Sequence, residues 1–319
     1  MNLANKGEKK DVTRFIFLCL FVLLFWGFVV GVIVSLADID EYRECVAKNL
    51  APDVEDGFEQ IVPIVNDVIQ AGEKSILIIG DSVCNQMFRN PDIRKNTNVC
   101  YAGTNAALTI EGQYILVHEF LSHESAEEIY LLILPLPGLE RLDYRVAYQY
   151  FVGPMIYTQL FDSLPQADRD EIENIFGKKN LTPQMVSLYE RNKIARKMYL
   201  STIQFVGRVN PKHFNISCDW ERKYLKMIQD ECKQAGVTLH VLPCPCIDSE
   251  ADMKSIQNFC EKYKDFDFVE EYEKVNPYLP EELFRDGLHF KDEICGVDFY
   301  MDLLQSLYGD EGTKLIRGL

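Results

Sequence analysis

Five stretches of the chain carry most of its apolar patterning. Residues 15–36 hold no charged side chain over 22 positions. At ~1.5 Å of rise per residue, that run is long enough to cross about 30 Å of hydrocarbon as one helix. The other four are short: Ser75–Ile79, Asn98–Tyr101, Glu128–Leu134 and Val237–Leu242. Each stops at glycine or proline, namely Gly80, Gly103, Pro135 with Pro137, and Pro243. Short continuous apolar runs bounded in this way read as buried strands. Between and after them lie helix-spaced segments. In Thr104–Ser122, Leu108, Ile115, Leu116 and Phe120 share a side. Trp220–Gln234 (with Gly236 just beyond it), Met253–Tyr263 and Cys295–Leu307 read the same way. Strands alternating with helices predict an α/β fold built on a parallel sheet. Sites in such sheets sit at the carboxyl ends of strands, where Ser82, Gly103 and Pro135–Gly138 fall.

Two segments break the alternation. Residues 37–71 are mixed in polarity and read as a stalk, with a short helix over Asp56–Ile69 interrupted at Pro63. Residues 139–213 form a long excursion between the third and fourth strands, with Tyr144, Tyr148, Tyr150, Phe151 and Tyr157 close together. Those rings fit helices packed on the sheet; they also fit a cap presenting flat apolar faces to a sugar or an acyl chain. The division is a tail (1–14), an anchor (15–36), a stalk (37–71) and a main domain (72–319) carrying the helical insertion 139–213.

Charge gives the chain a direction. Lys6, Lys9, Lys10 and Arg14 precede the long apolar run, and Asp38, Asp40 and Glu41 follow it. The positive flank stays in the cytoplasm, so residues 37–319 are expected outside, on a single-pass membrane anchor. A cleaved leader fits less well. The run exceeds the ~7–15 residues of a signal core and no small-residue cleavage site follows it. The net charge of −16 argues against a nucleic-acid partner and against adhesion of the main domain to anionic headgroups. Of the ten cysteines, Cys19 lies in the apolar run. The nine left are an odd number, so at least one is free or pairs between chains. Cys244-Pro-Cys246 has one intervening residue, against the two of a redox or zinc pair, and buried thiols are the expectation. Asn180-Leu-Thr182 and Asn215-Ile-Ser217 fit the glycosylation sequon.

The chemistry-bearing residues are few. Gly80-Asp81-Ser82 follows the first strand and opens a helix. A serine on such a turn exposes its hydroxyl, but needs a base to act as a nucleophile. Among the five histidines, at 118, 123, 213, 240 and 289, His289 alone has an acidic residue three positions before it. Ser82, His289 and Asp286 therefore make a candidate nucleophile, base and orienter. The plainer readings are a helix-capping serine and a surface Asp–His pair. His118-Glu119 with His123 has the wrong spacing for a zinc helix, there is no glycine-rich phosphate loop, and neither a metal nor another cofactor is expected.

On these residues the chain resembles the SGNH (GDSL-type) hydrolases. Gly80-Asp81-Ser82 matches the first block of that family, Gly103 the glycine of its second, and Asp286-Gly287-Leu288-His289 its last. The resemblance covers roughly residues 72–307 and implies a three-layer α/β/α sandwich, flavodoxin-like, whose serine carries acyl groups. It implies the N–H groups of Ser82 and Gly103 as oxyanion donors; Asn105, two residues past Gly103, is by its position a further candidate. The third block normally supplies an asparagine, and here Leu134-Pro135-Leu136-Pro137-Gly138 has none. A similar loss is known in anchored relatives that resemble the proteins of surface-polymer acylation, which work beside a membrane-bound O-acyltransferase. The expectation is an extracytoplasmic serine esterase or O-acyltransferase acting on acyl esters of a surface glycan or polymer. The alternative is a non-catalytic SGNH-like partner of such a membrane acyltransferase.

Overall fold

The four short apolar runs form four strands: β1 (Ile76–Gly80), β2 (Val99–Gly103), β3 (Glu128–Ile133) and β4 (Thr238–Pro243). The computed structural model describes residues 17–29, 31, 32, 35, 39–50, 57–90, 93, 94, 97–105, 108–134, 144–209 and 220–317. All four strands are parallel, in the order β2-β1-β3-β4. β1 lies inside the sheet, and every residue of β1 and β2 is buried. Burial on both faces removes the alternation of an edge strand and leaves the unbroken apolar runs seen in the sequence. A second parallel pair, β5 (Cys246–Ile247) with β6 (Tyr278–Leu279), was not expected; two residues are too few to leave a pattern.

The described helices include α1 (Asp40–Leu50), α2 (Gly57–Ile69), α3 (Ser82–Phe88), α4 (Thr109–Leu121), α5 (Gln166–Phe176), α6 (Pro183–Arg191), α7 (Lys193–Val209), α8 (Trp220–Ala235), α9 (Glu250–Tyr263), α10 (Val269–Lys274) and α11 (Val297–Arg317). The mixture of parallel sheet and helices agrees with the α/β expectation. α4 starts later than the periodicity suggests. The Thr104 N–H and hydroxyl both bond to the Gly80 carbonyl, at 3.0 and 3.1 Å, and keep the chain against β1. α9 starts earlier than expected, because the Ser249 hydroxyl caps it by accepting from Asp252 N–H at 3.1 Å. α11 runs on past Leu307, with non-helical backbone at Gly309.

The reading of residues 37–71 as a stalk requires correction where they are described. Phe58, Ile61, Val65 and Val68 of α2 are at most 2% exposed and belong to the main core. Their packing keeps α2 helical through Pro63, where a break was expected. α1 lies on α7: the rings of Tyr42 and Phe205 meet edge to face at 5.6 Å, and buried Asn49 donates to Gln204 Oε1 at 3.0 Å. The folded body therefore begins well before residue 72.

In the insertion, a helical run from Tyr144 to Tyr157 includes a π-helical turn at Tyr148–Val152 and is followed by α5, α6 and α7. Tyr144, Tyr148, Tyr150 and Phe151 are buried. Tyr148 packs edge to face on Tyr199 at 5.1 Å, and Tyr189 stacks on Tyr199 at 4.6 Å. Four of the five clustered rings are thus core, which favours the packing reading over an open sugar-binding face.

Residues 17–29 are helical with their large apolar side chains exposed. Among the described residues no helix is long and apolar enough to cross a membrane, and the expected span, 15–36, lies partly outside them. The described cysteines are all unbridged, and seven of them, from Cys45 to Cys260, are buried. Burial pushes up the thiols of Cys84, Cys100, Cys232, Cys244, Cys246 and Cys260, to about 11 for Cys100 and about 12 for Cys232.

Candidate active site

β1 ends at Gly80 and α3 starts at Ser82, with Asp81 between them as the N-cap. The Asp81 carboxylate accepts from Val83 N–H at 2.8 Å and Cys84 N–H at 3.4 Å, which caps α3. It also accepts from Leu134 N–H at 3.3 Å, just beyond β3, and lies 3.7 Å from the Cys244 thiol, just beyond β4. One carboxylate thus joins three strand ends. Burial pushes its pKa up, against the pull of those four donors. Because Asp81 does the capping, the Ser82 hydroxyl is left for another partner.

That partner is His289. Its Nε2 lies 2.9 Å from Ser82 Oγ, although the two residues are 207 apart in the chain. Its Nδ1 lies 3.0 Å from Asp286 Oδ2, while Asp286 Oδ1 accepts from the N–H groups of Leu288 (3.1 Å) and His289 (2.7 Å). Both carboxylate oxygens are engaged, so the aspartate holds the ring and shapes the turn together. The turn needs Gly287, whose φ of +80° is one that side chains rarely adopt. Burial alone would push the Asp286 carboxyl up. The backbone and ring N–H groups of His289 and the N–H of Leu288 outweigh it and hold the carboxyl at about 2. An ionised Asp286 accepts from Nδ1–H, which leaves the Nε2 lone pair facing the Ser82 hydroxyl. A hydroxyl so placed can lose its proton to Nε2 as its oxygen attacks a carbonyl carbon.

The loop carrying His289 is fastened on both sides. Arg285 N–H donates to the His289 carbonyl at 2.8 Å, and Phe284 and Phe290 pair across an antiparallel bridge with their rings stacked at 4.9 Å. Phe290 is fully buried. Gln86, one helical turn after Ser82, was not singled out in the sequence. Its Oε1 accepts from Phe290 N–H and its Nε2 donates to the Phe290 carbonyl, both at 2.9 Å. Its spacing of four residues from Ser82 is the one signal that pointed to it.

Gly103 closes β2 directly opposite Gly80. A Cβ there would lie 2.7 Å from the backbone N and Cα of Asn85 in α3, so glycine permits the helix to sit against β2. Asn105 is half-buried two residues further on, and its carbonyl accepts from Leu108 N–H at 2.8 Å. Leu134 marks the start of the stretch that lacks the asparagine; Pro135–Gly138 lie outside the described residues.

The other described histidines have different partners. His118 Nδ1 lies 2.9 Å from Glu231, a bond that raises its pKa, and His123 Nε2 lies 3.1 Å from the Val68 carbonyl. His240 Nδ1 lies 2.7 Å from Glu271, and its ring stacks on Tyr130 at 4.5 Å. His213 is outside the described residues.

No protein-family model matches the chain, and no curated protein matches it. Among solved structures, a chain from Streptococcus pneumonia described as a candidate platelet activating factor is similar over 78% of this chain and 91% of that one. The two share 13% identity with a TM-score of 0.34, a likeness too slight to argue fold or chemistry from.

Proposed function

We propose that this chain is a serine esterase or O-acyltransferase of the SGNH type. The observation that carries the reading is the unbroken line from Ser82 Oγ to His289 Nε2 and from His289 Nδ1 to Asp286, at 2.9 and 3.0 Å. The strand order supports it as well. In the order β2-β1-β3-β4 the connections diverge between β1 and β3, and the crevice at that point is where open parallel sheets bind ligands. Ser82 follows β1, and Asp81 reaches to Leu134 after β3. Right-handed crossovers would put α3 on one face of the sheet and α4 and α8 on the other, the layering of an α/β/α sandwich.

In this mechanism Ser82 Oγ bonds to the acyl carbon while its proton passes to Nε2. The tetrahedral oxyanion is held by the N–H of Ser82, at the first helical position where it has no intrahelical partner, and by that of Gly103. Asn105 is a further candidate donor for the missing third-block asparagine; one such donor contributes about 3 kcal/mol to transition-state stability. The imidazolium then protonates the departing alkoxide, leaving an acyl-serine. Water or an acceptor hydroxyl then attacks the acyl carbon as Nε2 accepts its proton, and the imidazolium returns that proton to Ser82 Oγ as the acyl–serine bond breaks.

The acyl donor is proposed to be an ester on a surface glycan or polymer, met outside the membrane by a domain anchored through residues 15–36. A membrane-bound O-acyltransferase is the proposed neighbour. An active-serine fluorophosphonate probe tests the chemistry: labelling should disappear in Ser82→Ala. A folded wild-type protein that takes no label would favour the non-catalytic partner instead. Protease added outside intact cells should digest a C-terminal tag. A tag fully protected while the outer face is open to protease would remove the surface-glycan reading.

A further inference from the structure

We infer that Gln86 is a positioning residue that fixes the distance between Ser82 and His289. This inference rests on the serine-hydrolase reading. The nucleophile and base come from chain positions 207 residues apart, and each has its own anchorage: Ser82 on α3, His289 on the loop between Phe284 and Phe290. Gln86 joins the two anchorages. It lies on α3 one turn after Ser82, so its Cα cannot move relative to Ser82 without bending the helix. Its amide grips both polar backbone atoms of Phe290, the residue after His289, at 2.9 Å each. A primary amide can donate and accept along one edge, which makes it complementary to a peptide unit's exposed N–H and C=O.

The environment explains why the grip is firm. Gln86 is 4% exposed and Phe290 is fully buried. With water excluded, each of these bonds is costly to leave unmade. The Phe290 ring is wedged against Phe284, Phe299 and Tyr300, so the peptide held by Gln86 cannot swing away. Gln86 Nε2 also lies 3.5 Å from Cys295 Sγ, which in turn accepts from the Tyr300 hydroxyl at 2.8 Å. Gln86 does not touch the reacting atoms. Its effect on chemistry is geometric, through the Oγ–Nε2 distance, and misplacement of about 1 Å at a reacting centre is enough for ~100-fold in rate.

The test uses the full chain and Gln86→Leu, which keeps volume and removes both bonds, with Gln86→Glu, whose carboxylate still accepts from the Phe290 N–H but has no donor for the Phe290 carbonyl. Two quantities are read: kinetics on 4-nitrophenyl acetate, and the ring resonances of histidine labelled with 15N, five in number and assigned for His289 with His289→Ala. We expect kcat of Gln86→Leu to fall ~10- to 100-fold with KM within about twofold, and Gln86→Glu to lie between it and wild type. The His289 Nε2 signal of Gln86→Leu should move toward its position in Ser82→Ala, where the hydroxyl partner is gone. An unchanged His289 signal in folded Gln86→Leu, or an unchanged kcat, would overturn the inference. If the wild type hydrolyses no ester, the serine-hydrolase reading fails, while the ring spectrum still decides whether Gln86 sets the geometry.

Discussion

Ser82, His289 and Asp286 illustrate how one residue's role is decided by what its neighbours have already taken. Asp81 is the helix cap, so the serine hydroxyl is not spent on backbone N–H groups. Asp286 uses one oxygen on its own turn and the other on the ring. Ser82→Ala and His289→Ala should each lower kcat/KM by ~1,000-fold or more, and the double variant should be little worse than either, because members of a catalytic unit are not additive. Losses that multiply would separate the histidine from the serine. A pH prediction follows from Asp286. Its folded pKa, about 2, lies below the ordinary carboxylate value, so its hydrogen bonds stabilise the fold fully above pH ~4, and that contribution fades as the pH falls toward 2. The side chain is 47% exposed, so the effect is screened and small. Urea midpoints of wild type and Asp286→Asn should differ at pH 6 and converge by about pH 2. A gap that stays constant over that range would contradict the linkage.

At the scale of elements, two glycines do different work. Gly287 is free of steric neighbours, and its constraint is the positive φ of the turn between Asp286 and Leu288. Gly287→Ala should cost only ~1–2 kcal/mol of stability, since a side chain is strained but not blocked there. It should lower kcat more than that cost implies, because the strain falls on the turn that aims His289. Gly103 is the reverse case. Its added Cβ would meet Asn85 backbone atoms at 2.7 Å, which no rotamer change relieves, so α3 must lift from β2. Gly103→Ala should therefore cost ~1–3 kcal/mol, read as a lower urea midpoint. A more stable Gly103→Ala would show that the α3–β2 contact is looser than described.

For the whole molecule, the main consequence concerns where the domain begins. α2 brings Phe58, Ile61, Val65 and Val68 into the core, and α1 is docked on α7. At about 1.5–3 kcal/mol for each fully buried side chain, those four amount to roughly 6–12 kcal/mol. A typical domain's entire stability is about 5–15 kcal/mol. A fragment starting at residue 72 should therefore aggregate or remain unfolded, while one starting at residue 39 should melt cooperatively by circular dichroism. Cooperative melting of the shorter fragment at the same temperature would show α1 and α2 to be dispensable.

What the sequence determined by itself was local. Buried parallel strands are continuous apolar runs, so all four strands of the main sheet were legible within a residue or two. A glycine-bounded turn and an aspartate three residues before a histidine are short-range patterns, and they singled out Ser82, Asp286 and His289. The long-range decisions were not visible there. Residues 57–69 have the apolar spacing of a helix, but a helix of that kind can sit in a stalk or on a core, and only the packed sheet supplies the face that Phe58 and Val65 cover. The tyrosines of the insertion have one composition whether they line a cleft or pack on one another, and only their mutual burial assigns them to the core. Gln86 carries no motif, because its partner is a backbone peptide 204 residues away. Such a contact depends on where two elements meet, a property of the packed chain that no local pattern encodes.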